Sequence, residues 1–372
     1  MADLTLNQTN SEMETLQPAA VKVKTPRRRM NKVLRELISH FFLILVGLFF
    51  MVPFFWMFLT AFKSDQDVFR SPPRWLPHTN KTVEINGEKL SLYEVTQDGV
   101  TREMAIKSIA EGKGIFVDPQ NPTVEEEIRM KFAKPILVIG FRWQNFVDML
   151  NRATRPGRNV TFWTYFKNSL IIAFFCIVGT LVSCTPVAYG FACLRWPGRD
   201  LTFIIVLCTI MLPFQVTMIP LYLFFNETLH WGDSFLPIIV PAFFANAFDI
   251  FLLRQFFRTI PSELIDAARV DGANEFQIFT RIVLRLSIPV IAAITIFTFL
   301  WAWNDFQGPL LYLTSAKHFT MALGLQDFQG QHTVAWNQLM AASVILTIPI
   351  IIAFFFAQKT FIQGVKLTGL KE

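Results

Sequence analysis

The chain has 372 residues, of which 52% are hydrophobic and only 17% are charged. Uncharged apolar runs of about 20 residues match the roughly 30 Å hydrocarbon core of a bilayer, which excludes an ordinary soluble protein. The formal net charge of +6 would suit nucleic acid, but the lysines and arginines lie beside the apolar runs, so they indicate lipid headgroups and no nucleic-acid partner. The composition therefore predicts an all-α polytopic membrane protein.

The N-terminal segment 1–36 is polar and then basic. It has too few large apolar side chains to offset the entropy of ordering, so we expect a disordered cytoplasmic tail. The apolar run 37–62 is longer than the roughly 7–15-residue core of a signal peptide, and it predicts a retained transmembrane helix 1.

Residues 63–165 are rich in charge and too long for a tight connection, which predicts a soluble extracytoplasmic insert between helices 1 and 2. Asn86-Gly87 separates two short alternating segments and predicts a two-residue hairpin turn, because both residues tolerate positive φ. We expect a short helix at 101–110 and a buried strand at 135–139. The sequence therefore predicts a small α+β module.

Residues 166–357 contain five further apolar runs, each long enough to cross a bilayer. They are 168–194, 201–225, 235–253, 286–303 and 339–357. Six spans place both termini on one side of the membrane. Lysine and arginine concentrate in one set of short flanks, which includes the tail 358–372, so both termini are expected in the cytoplasm.

The cytoplasmic loop 258–286, between spans four and five, contains a short amphipathic helix by pattern. Pro261 marks its start, and Ser262 and Glu263 are expected to supply the cap and a favourable charge. Gly272 is expected to end it at a sharp turn that a side chain would obstruct. By periodicity alone the loop is an interfacial helix pair, suited either to docking a partner or to lying on the membrane surface.

This loop resembles the EAA loop of ABC importer permeases, and it is especially similar to the carbohydrate (maltose-type) permease family of binding-protein-dependent inner-membrane components. Asp266-Ala267-Ala268 stands where that family has Glu-Ala-Ala, and Asp271-Gly272-Ala273 matches, whereas Arg285 replaces the common proline. Other matching stretches are Asn168-Ser169-Leu170, Trp196-Pro197-Gly198-Arg199, Leu212-Pro213-Phe214-Gln215 and Trp303-Asn304-Asp305. The insert portion 79–140 lies outside the family pattern.

The resemblance implies a permease subunit with six transmembrane helices, in the inner or plasma membrane of a bacterium or archaeon, that carries a sugar or oligosaccharide. It implies a second permease in a heterodimer, two ABC ATPase subunits that hold ATP and Mg²⁺, and an extracytoplasmic sugar-binding protein. The short helix would be the coupling helix of the EAA loop. Its ATPase-coupling residues would be Glu263, Asp266, Ala267, Ala268, Asp271, Gly272 and Ala273.

Polar residues inside the spans give candidates for the translocation pathway. Asn246 and Asp249 share one helix face in span four, where a carboxylate should meet a polar cavity or a partner rather than lipid. They therefore either line the pathway or form a hydrogen bond between spans or subunits. Asn304, at the end of span five, is a third pathway candidate.

The sequence contains no phosphate-binding loop, nucleophile elbow or Cys/His metal pattern. We therefore expect no catalytic residue, no bound cofactor and no metal site on this chain, and ATP hydrolysis on a partner. The alternative function is a self-contained secondary transporter or channel, for which internal repeats would be evidence. A sensor or scaffold anchored by its spans is a third interpretation.

Overall fold

The computed structural model describes residues 26–97, 100–110, 112–151, 160–329 and 335–368. The chain comprises two compact units, Met1–Phe55 and Trp56–Glu372. Helix α1 spans Pro26–Ala61 and begins before the predicted start at residue 37. Arginine, lysine, leucine and glutamate in this stretch are good helix formers, so the basic segment continues the helix of the apolar run.

A β-rich insert follows α1. Its elements are α2 (Asp65–Val68), β1 (His78–Asn80), β2 (Thr82–Ile85), β3 (Glu88–Gln97), β4 (Val100–Ala110), β5 (Lys113–Asp118), β6 (Asn121–Arg129), a 3₁₀ turn (Met130–Phe132), β7 (Ala133–Pro135), β8 (Leu137–Ile139) and α3 (Gln144–Asn151). Strands β2 to β6 form an antiparallel sheet in chain order, β7 pairs with β3, and β1 pairs separately with β8. The hairpin prediction is confirmed, because Asn86 and Gly87 have φ of 54° and 82° and connect β2 directly to β3.

The predicted helix at 101–110 is wrong, because this segment forms most of β4. Met104 packs in one apolar cluster with Phe116, and the next residue, Ala105, packs in another cluster with Val117. Burial of consecutive residues in separate clusters suits a strand, whose side chains alternate between faces. Pairing with β3 and β5 decides the conformation, and a local helical pattern does not contain that information.

The helical part after the insert begins at residue 162. Its elements are α4 (Phe162–Ala192), α5 (Arg199–Cys208), a 3₁₀ turn (Thr209–Met211), α6 (Phe214–Leu223), a π turn (Phe224–Thr228), α7 (Leu236–Ile239), a 3₁₀ turn (Val240–Phe244), α8 (Ala247–Phe257), α9 (Ser262–Val270), α10 (Glu275–Ile278), a π turn (Phe279–Val283), α11 (Leu284–Leu286), α12 (Ile288–Asn304), α13 (Gln307–Tyr312), a 3₁₀ turn (Ala316–His318), α14 (Met321–Gly324), a 3₁₀ turn (Leu325–Phe328) and α15 (Trp336–Thr368). The mostly helical architecture agrees with the predicted membrane fold.

Four helical segments among the described residues are long and apolar enough to cross a membrane. They are Leu34–Ala61, Phe162–Ala192, Leu236–Phe257 and Trp336–Gln358. Two bent pairs, Arg199–Met211 with Phe214–Thr228 and Glu275–Leu286 with Ile288–Asn304, raise the number to six if each pair is one span. The pairs bend by 91° and 78°, respectively. The first bend lies at Pro213, which lacks the N–H needed to continue the helix.

Helix α4 is the centre of the helical part, because it packs against both α8 and α12. One apolar cluster surrounds its first half and includes Tyr165 and Trp303. A second cluster surrounds its last half and includes Leu253 from α8 and Ile278 from the 258–286 loop. The 258–286 loop therefore packs against the long helices.

Two polar side chains on α4 fix the segment before α14. Asn168 donates hydrogen bonds to the carbonyls of Lys317 and Phe319 at 2.8 and 2.9 Å. Ser169 accepts a hydrogen bond from the backbone N–H of Met321 at 2.8 Å. Both α4 residues are buried, so these bonds satisfy backbone groups that water does not reach.

Candidate functional site

The predicted coupling helix is present as α9, Ser262–Val270. Pro261 occupies the cap position and Ser262 is already the first helical residue, with no side-chain cap bond. The expectation that Ser262 caps the helix is therefore wrong, since a residue inside the first turn cannot occupy the extended cap conformation. At the other end, Ala273 N–H donates to the Ala268 carbonyl at 2.9 Å, the bond of a Schellman ending.

Gly272 adopts φ of +83°, which is the left-handed conformation that glycine tolerates best. A side chain added at this position would meet no atom within 4 Å. The expected obstruction of the turn by a side chain is therefore absent within this chain. Backbone conformation, and not lack of space, accounts for glycine at position 272.

Most of the predicted coupling residues lie on the outer surface of the loop. Glu263, Asp266, Ala267, Asp271 and Gly272 are exposed, whereas Ala268 and Ala273 are half-buried. The apolar residues of α9 also divide into a buried and an exposed group. The side of α9 that carries Ile265 packs on the second cluster of the helical part, while Val270 is 89% exposed.

Val270 was not singled out by sequence reasoning, and Phe276 was noted only as one of the apolar residues at helical spacing in 274–284; both are exposed apolar residues at the tip of the loop, at 89% and 73%. Exposed apolar groups beside acidic ones are typical of a surface that a protein partner covers. The sequence did contain a signal for this surface, because Val270 is a hydrophobic residue opposite the buried face of a short amphipathic helix.

Arg269 connects α9 to the rest of the loop. Its guanidinium contacts the carboxylate of Asp266 at 3.0 Å and that of Glu275, at the start of α10, at 2.9 Å. Glu275 also accepts a hydrogen bond from the hydroxyl of Tyr189 on α4. The hydrogen bond from Arg269, with that from Tyr189, lowers the pKa of the Glu275 carboxyl, so the residue stays ionised. We call the set Asp266, Arg269, Glu275 and Tyr189 the polar relay.

Asn274 secures the next helix. Its side chain accepts from the N–H of Gln277 at 2.8 Å, and the Gln277 side chain accepts from the N–H of Asn274 at 3.0 Å. This reciprocal capping box fixes the entry of α10 directly after the turn at Gly272. Both ends of the turn are therefore held by hydrogen bonds, which makes the helix pair a rigid unit.

The helix that contains the first two pathway candidates is interrupted at Ala245, where φ is +62° in a residue other than glycine. Asn246 then caps α8 by accepting from the N–H of Asp249 at 2.9 Å, and its amide donates to the Asp249 carboxylate. The two residues thus bond to each other within one helix turn. Non-helical backbone at membrane depth is tolerated where it lines a cavity or is buried in protein.

A cavity of about 580 Å³ lies at this interruption. Asn246 and Asp249 both line it, together with Thr180, Thr298 and Trp301. Sequence reasoning missed Thr180 and Thr298, although hydroxyl groups in apolar spans were a usable signal. Asn304 does not line this cavity; it is exposed and donates to the Leu300 carbonyl at 2.8 Å.

Among the residues that the structure describes, no three His, Cys, Asp or Glu side chains are grouped as a metal site. Two places where polar groups converge within the family-like part are the Asn246 and Asp249 pair in the cavity and the polar relay in the loop. Neither arrangement contains a nucleophile next to a base. What these groups can do is bind polar atoms and hold two helices at a fixed distance.

The chain matches the family model described as binding-protein-dependent transport system inner membrane component over residues 184–367. The arabinooligosaccharides transport system permease protein AraQ of Bacillus subtilis (strain 168) is 36% identical over 210 residues, covering 56% of this chain and 74% of the relative. The sn-glycerol-3-phosphate transport system permease protein UgpE of Salmonella choleraesuis (strain SC-B67) is 36% identical over 205 residues, covering 55% and 72%.

A solved structure of similar fold is a chain of a bacterial ABC transporter involved in the import of the acidic polysaccharide alginate. The TM-score is 0.59 at 19% sequence identity, and the match covers 90% of this chain and 98% of that chain. At this identity the likeness concerns the fold alone.

The matched range 184–367 contains the interruption at Ala245, the cavity residues of α8 and the whole of α9. The similar relatives are transport permeases and not enzymes. Together with its apolar helices and its fold, these matches show that the chain belongs to the carbohydrate-type ABC importer permeases, the family of binding-protein-dependent transport system inner membrane components.

Proposed function

We propose that the chain is the permease subunit of an ATP-driven ABC importer for a sugar or oligosaccharide, with ATP and Mg²⁺ bound by separate ATPase subunits. The observation that carries this proposal is the loop 258–286. Its helix α9 presents acidic residues and the exposed Val270 outward. The polar relay ties the same helix back to α4.

The topology follows from a count of six spans, in which the pair Arg199–Met211 with Phe214–Thr228 is one span and Ile288–Asn304 is another. The basic flanks then face the cytoplasm, and both termini lie on that side of a bacterial or archaeal inner or plasma membrane. The loop 258–286 is cytoplasmic in this arrangement, where an ATPase is available. The β-rich insert is extracytoplasmic, on the side from which a binding protein approaches.

Coupling works as helix-in-groove recognition. A short amphipathic helix seated in a groove of the ATPase follows the movement of that groove as a rigid body. Ile265 and Ile278 pack in one cluster with Leu253 of α8, so a displacement of α9 reaches the span that lines the cavity. The polar relay adds a second connection to α4 through Tyr189.

The cavity at Ala245 supports a role in the translocation pathway. Asn246 and Asp249 offer amide and carboxylate groups next to Trp301, a combination that suits a ligand with many hydroxyl groups. By its name, the arabinooligosaccharides transport system permease protein AraQ belongs to a system for a ligand of this kind. Asn304 is the last residue of α12, so we assign it to the extracytoplasmic end of the same translocation pathway.

The partners are a second permease that forms a heterodimer with this chain, two ATPase subunits and an extracytoplasmic sugar-binding protein. The family match supports the binding protein, because its description names transport that depends on one.

The test is affinity purification of the tagged chain from its native membrane in mild detergent, followed by mass spectrometry of its partners. The variant Val270→Asp places a charge at the tip of α9, and Val124→Asp is the matched control at another exposed valine, in β6. We expect wild type and Val124→Asp to retain an ABC ATPase and a second permease, and Val270→Asp to lose the ATPase. A stoichiometric oligomer without any ATPase would instead support the alternative, a self-contained secondary transporter or channel.

A further inference from the structure

Four arginines surround one aspartate where α5 and α8 meet the connection after α4. Arg199 contacts Asp200 at 3.0 Å and Arg254 reaches the same carboxylate at 3.7 Å. Arg195 and Arg258 lie in the same region, and within the described ranges neither forms an ion pair. The region therefore carries a large local excess of positive charge.

Arg254 has a structural role that explains its own position. Its side chain is 9% exposed, its Nε donates to the Phe191 carbonyl at 3.2 Å, and its guanidinium lies 4.0 Å from the ring centre of Phe203. The remaining arginines are more exposed, and no comparable set of contacts fixes Arg195 or Arg258. Their charge is available to a ligand.

The arginines line a cavity of about 920 Å³ between the 193–199 connection and α9. Arg195, Arg199, Arg258 and Trp196 contribute to one side of it, and Ser262 and Asp266 of α9 contribute to the other. Arg269 also reaches this cavity, but the carboxylates of Asp266 and Glu275 neutralise it. Asp266 and Glu275 thus pair with Arg269 and Asp200 pairs with Arg199, while the charges of Arg195 and Arg258 remain to bind an anion.

The N-terminus of α5 lies beside these arginines, and the carboxylate of Asp200 in its first turn offsets part of its positive potential. This ten-residue helix starts at Arg199 after Gly198, and no side chain caps it. The partial positive charge of a helix N-terminus favours phosphate groups, and guanidinium groups bind phosphate through paired N–H donors. The unpaired guanidinium groups of Arg195 and Arg258 are therefore the main feature that favours a phosphate ligand.

An apolar surface begins where the arginines end. A shallower cavity of about 340 Å³ shares Arg195 and Arg199 and extends to Leu201. Leu201, Ile204 and Ile205 follow at helical spacing on one face of α5, with exposures of 65%, 56% and 58%. A small soluble anion would make no contact with this apolar surface, whereas the acyl chains of a lipid would cover it.

We propose that the cavity beside α9 binds the phosphate group of an anionic phospholipid, with Arg195, Arg199 and Arg258 on the headgroup and the acyl chains along α5. The cytoplasmic placement of this lipid rests on the proposed function. Because α9 forms one wall, a bound headgroup connects the predicted coupling helix to the membrane surface.

The test uses the purified full-length chain in detergent, titrated with dioleoyl phosphatidylglycerol and followed by native mass spectrometry. Dioleoyl phosphatidylcholine and inorganic phosphate are the comparison ligands. The variant is Arg195→Ala with Arg258→Ala. Its matched control is Arg281→Ala with Arg285→Ala, which removes two exposed arginines from the same loop region outside the cavity.

We expect wild type to prefer phosphatidylglycerol over phosphatidylcholine. Each arginine near an anionic lipid contributes about a fivefold affinity, so the cavity pair should weaken phosphatidylglycerol binding at least about tenfold and the control pair less than about twofold. If the double variant does not fold, the two single variants are compared, each with about a fivefold loss. Saturating inorganic phosphate should leave phosphatidylglycerol bound.

Equal losses in the cavity and control variants would overturn the proposal, because they would show general charge attraction. Displacement of phosphatidylglycerol by inorganic phosphate would assign the cavity to a free ion instead. Loss of ATPase recovery with unchanged lipid binding would assign it to the ATPase interface. Lipid binding is measured without the ATPase, so failure of this proposal and failure of the coupling proposal are distinguishable.

Discussion

The substitution Gly272→Ala tests the conformation at the end of α9. The φ of +83° costs a residue other than glycine about 1–2 kcal/mol, and nothing within 4 Å adds a clash. Alanine also restricts the unfolded chain, which offsets about 0.4–1 kcal/mol of this loss. We therefore expect the free energy of unfolding to fall by about 1 kcal/mol.

The assay is thermal unfolding of the purified chain in detergent, together with recovery of the ATPase in affinity purification. Gly190→Ala is the first control, since Gly190 lies in α4 at an ordinary φ with open space around it. It should be stabilised by about 0.5–1 kcal/mol. Gly87→Ala has the same left-handed φ in the hairpin between β2 and β3, and it should leave ATPase recovery unchanged.

Gly272→Asn separates conformation from space. Asparagine adopts the left-handed region more readily than alanine does, so its unfolding midpoint should lie between those of alanine and glycine at this position. Equal losses for alanine and asparagine would refute the argument that φ decides. A midpoint for Gly272→Ala as high as that for Gly190→Ala would refute it as well.

Three further predictions concern other contacts. Asn168→Leu leaves two backbone carbonyls without their donor, and we expect the free energy of unfolding in detergent to fall by about 2–4 kcal/mol; an unchanged denaturation midpoint would contradict this. Glu275→Gln should change the thermal midpoint little, because the ion pair with Arg269 is screened by solvent. Glu275→Ala also removes the hydrogen-bond acceptor of the buried Tyr189 hydroxyl, so it should lower the thermal midpoint clearly. Burial opposes ionisation of Asp233, but hydrogen bonds from Ser315 and Thr314 outweigh it and hold the pKa of this carboxyl below its usual value. The stability that the ionised carboxylate contributes is therefore complete above about pH 4 and is lost as pH falls further. The difference in thermal midpoint between wild type and Asp233→Asn should narrow below about pH 4, and a constant difference would argue against the ionised form.

The features predicted correctly were those that local chemistry decides. The turn at Asn86-Gly87 follows from two residues that tolerate positive φ, and α9 ends near Gly272 for the same reason. The interruption at Ala245 has no such signal, because alanine is an ordinary helix former. The Asn246 cap directly after it was a usable local signal for a helix start, whereas the hydrogen bond from Ser183 on α4 to the Ala242 carbonyl could not be read from the sequence.

Contacts between distant segments were also out of reach. Asn168-Ser169 was recognised as a family-like motif, but its bonds run to residues 317–321, about 150 positions away in the chain. The polar relay depends in the same way on Tyr189 of α4 meeting Glu275. The residue types of such sites can be recognised in advance, whereas their partners require the fold.

The pairing of β1 with β8 holds the first and last strands of the β-rich insert next to each other. Asn80 and Leu137 are direct partners in this ladder, so the chain leaves and re-enters the insert at neighbouring points. The distance between these points does not depend on how many residues lie between them. Replacement of residues 81–136 by a shorter or longer segment is therefore compatible with an unchanged β1–β8 pair in this chain.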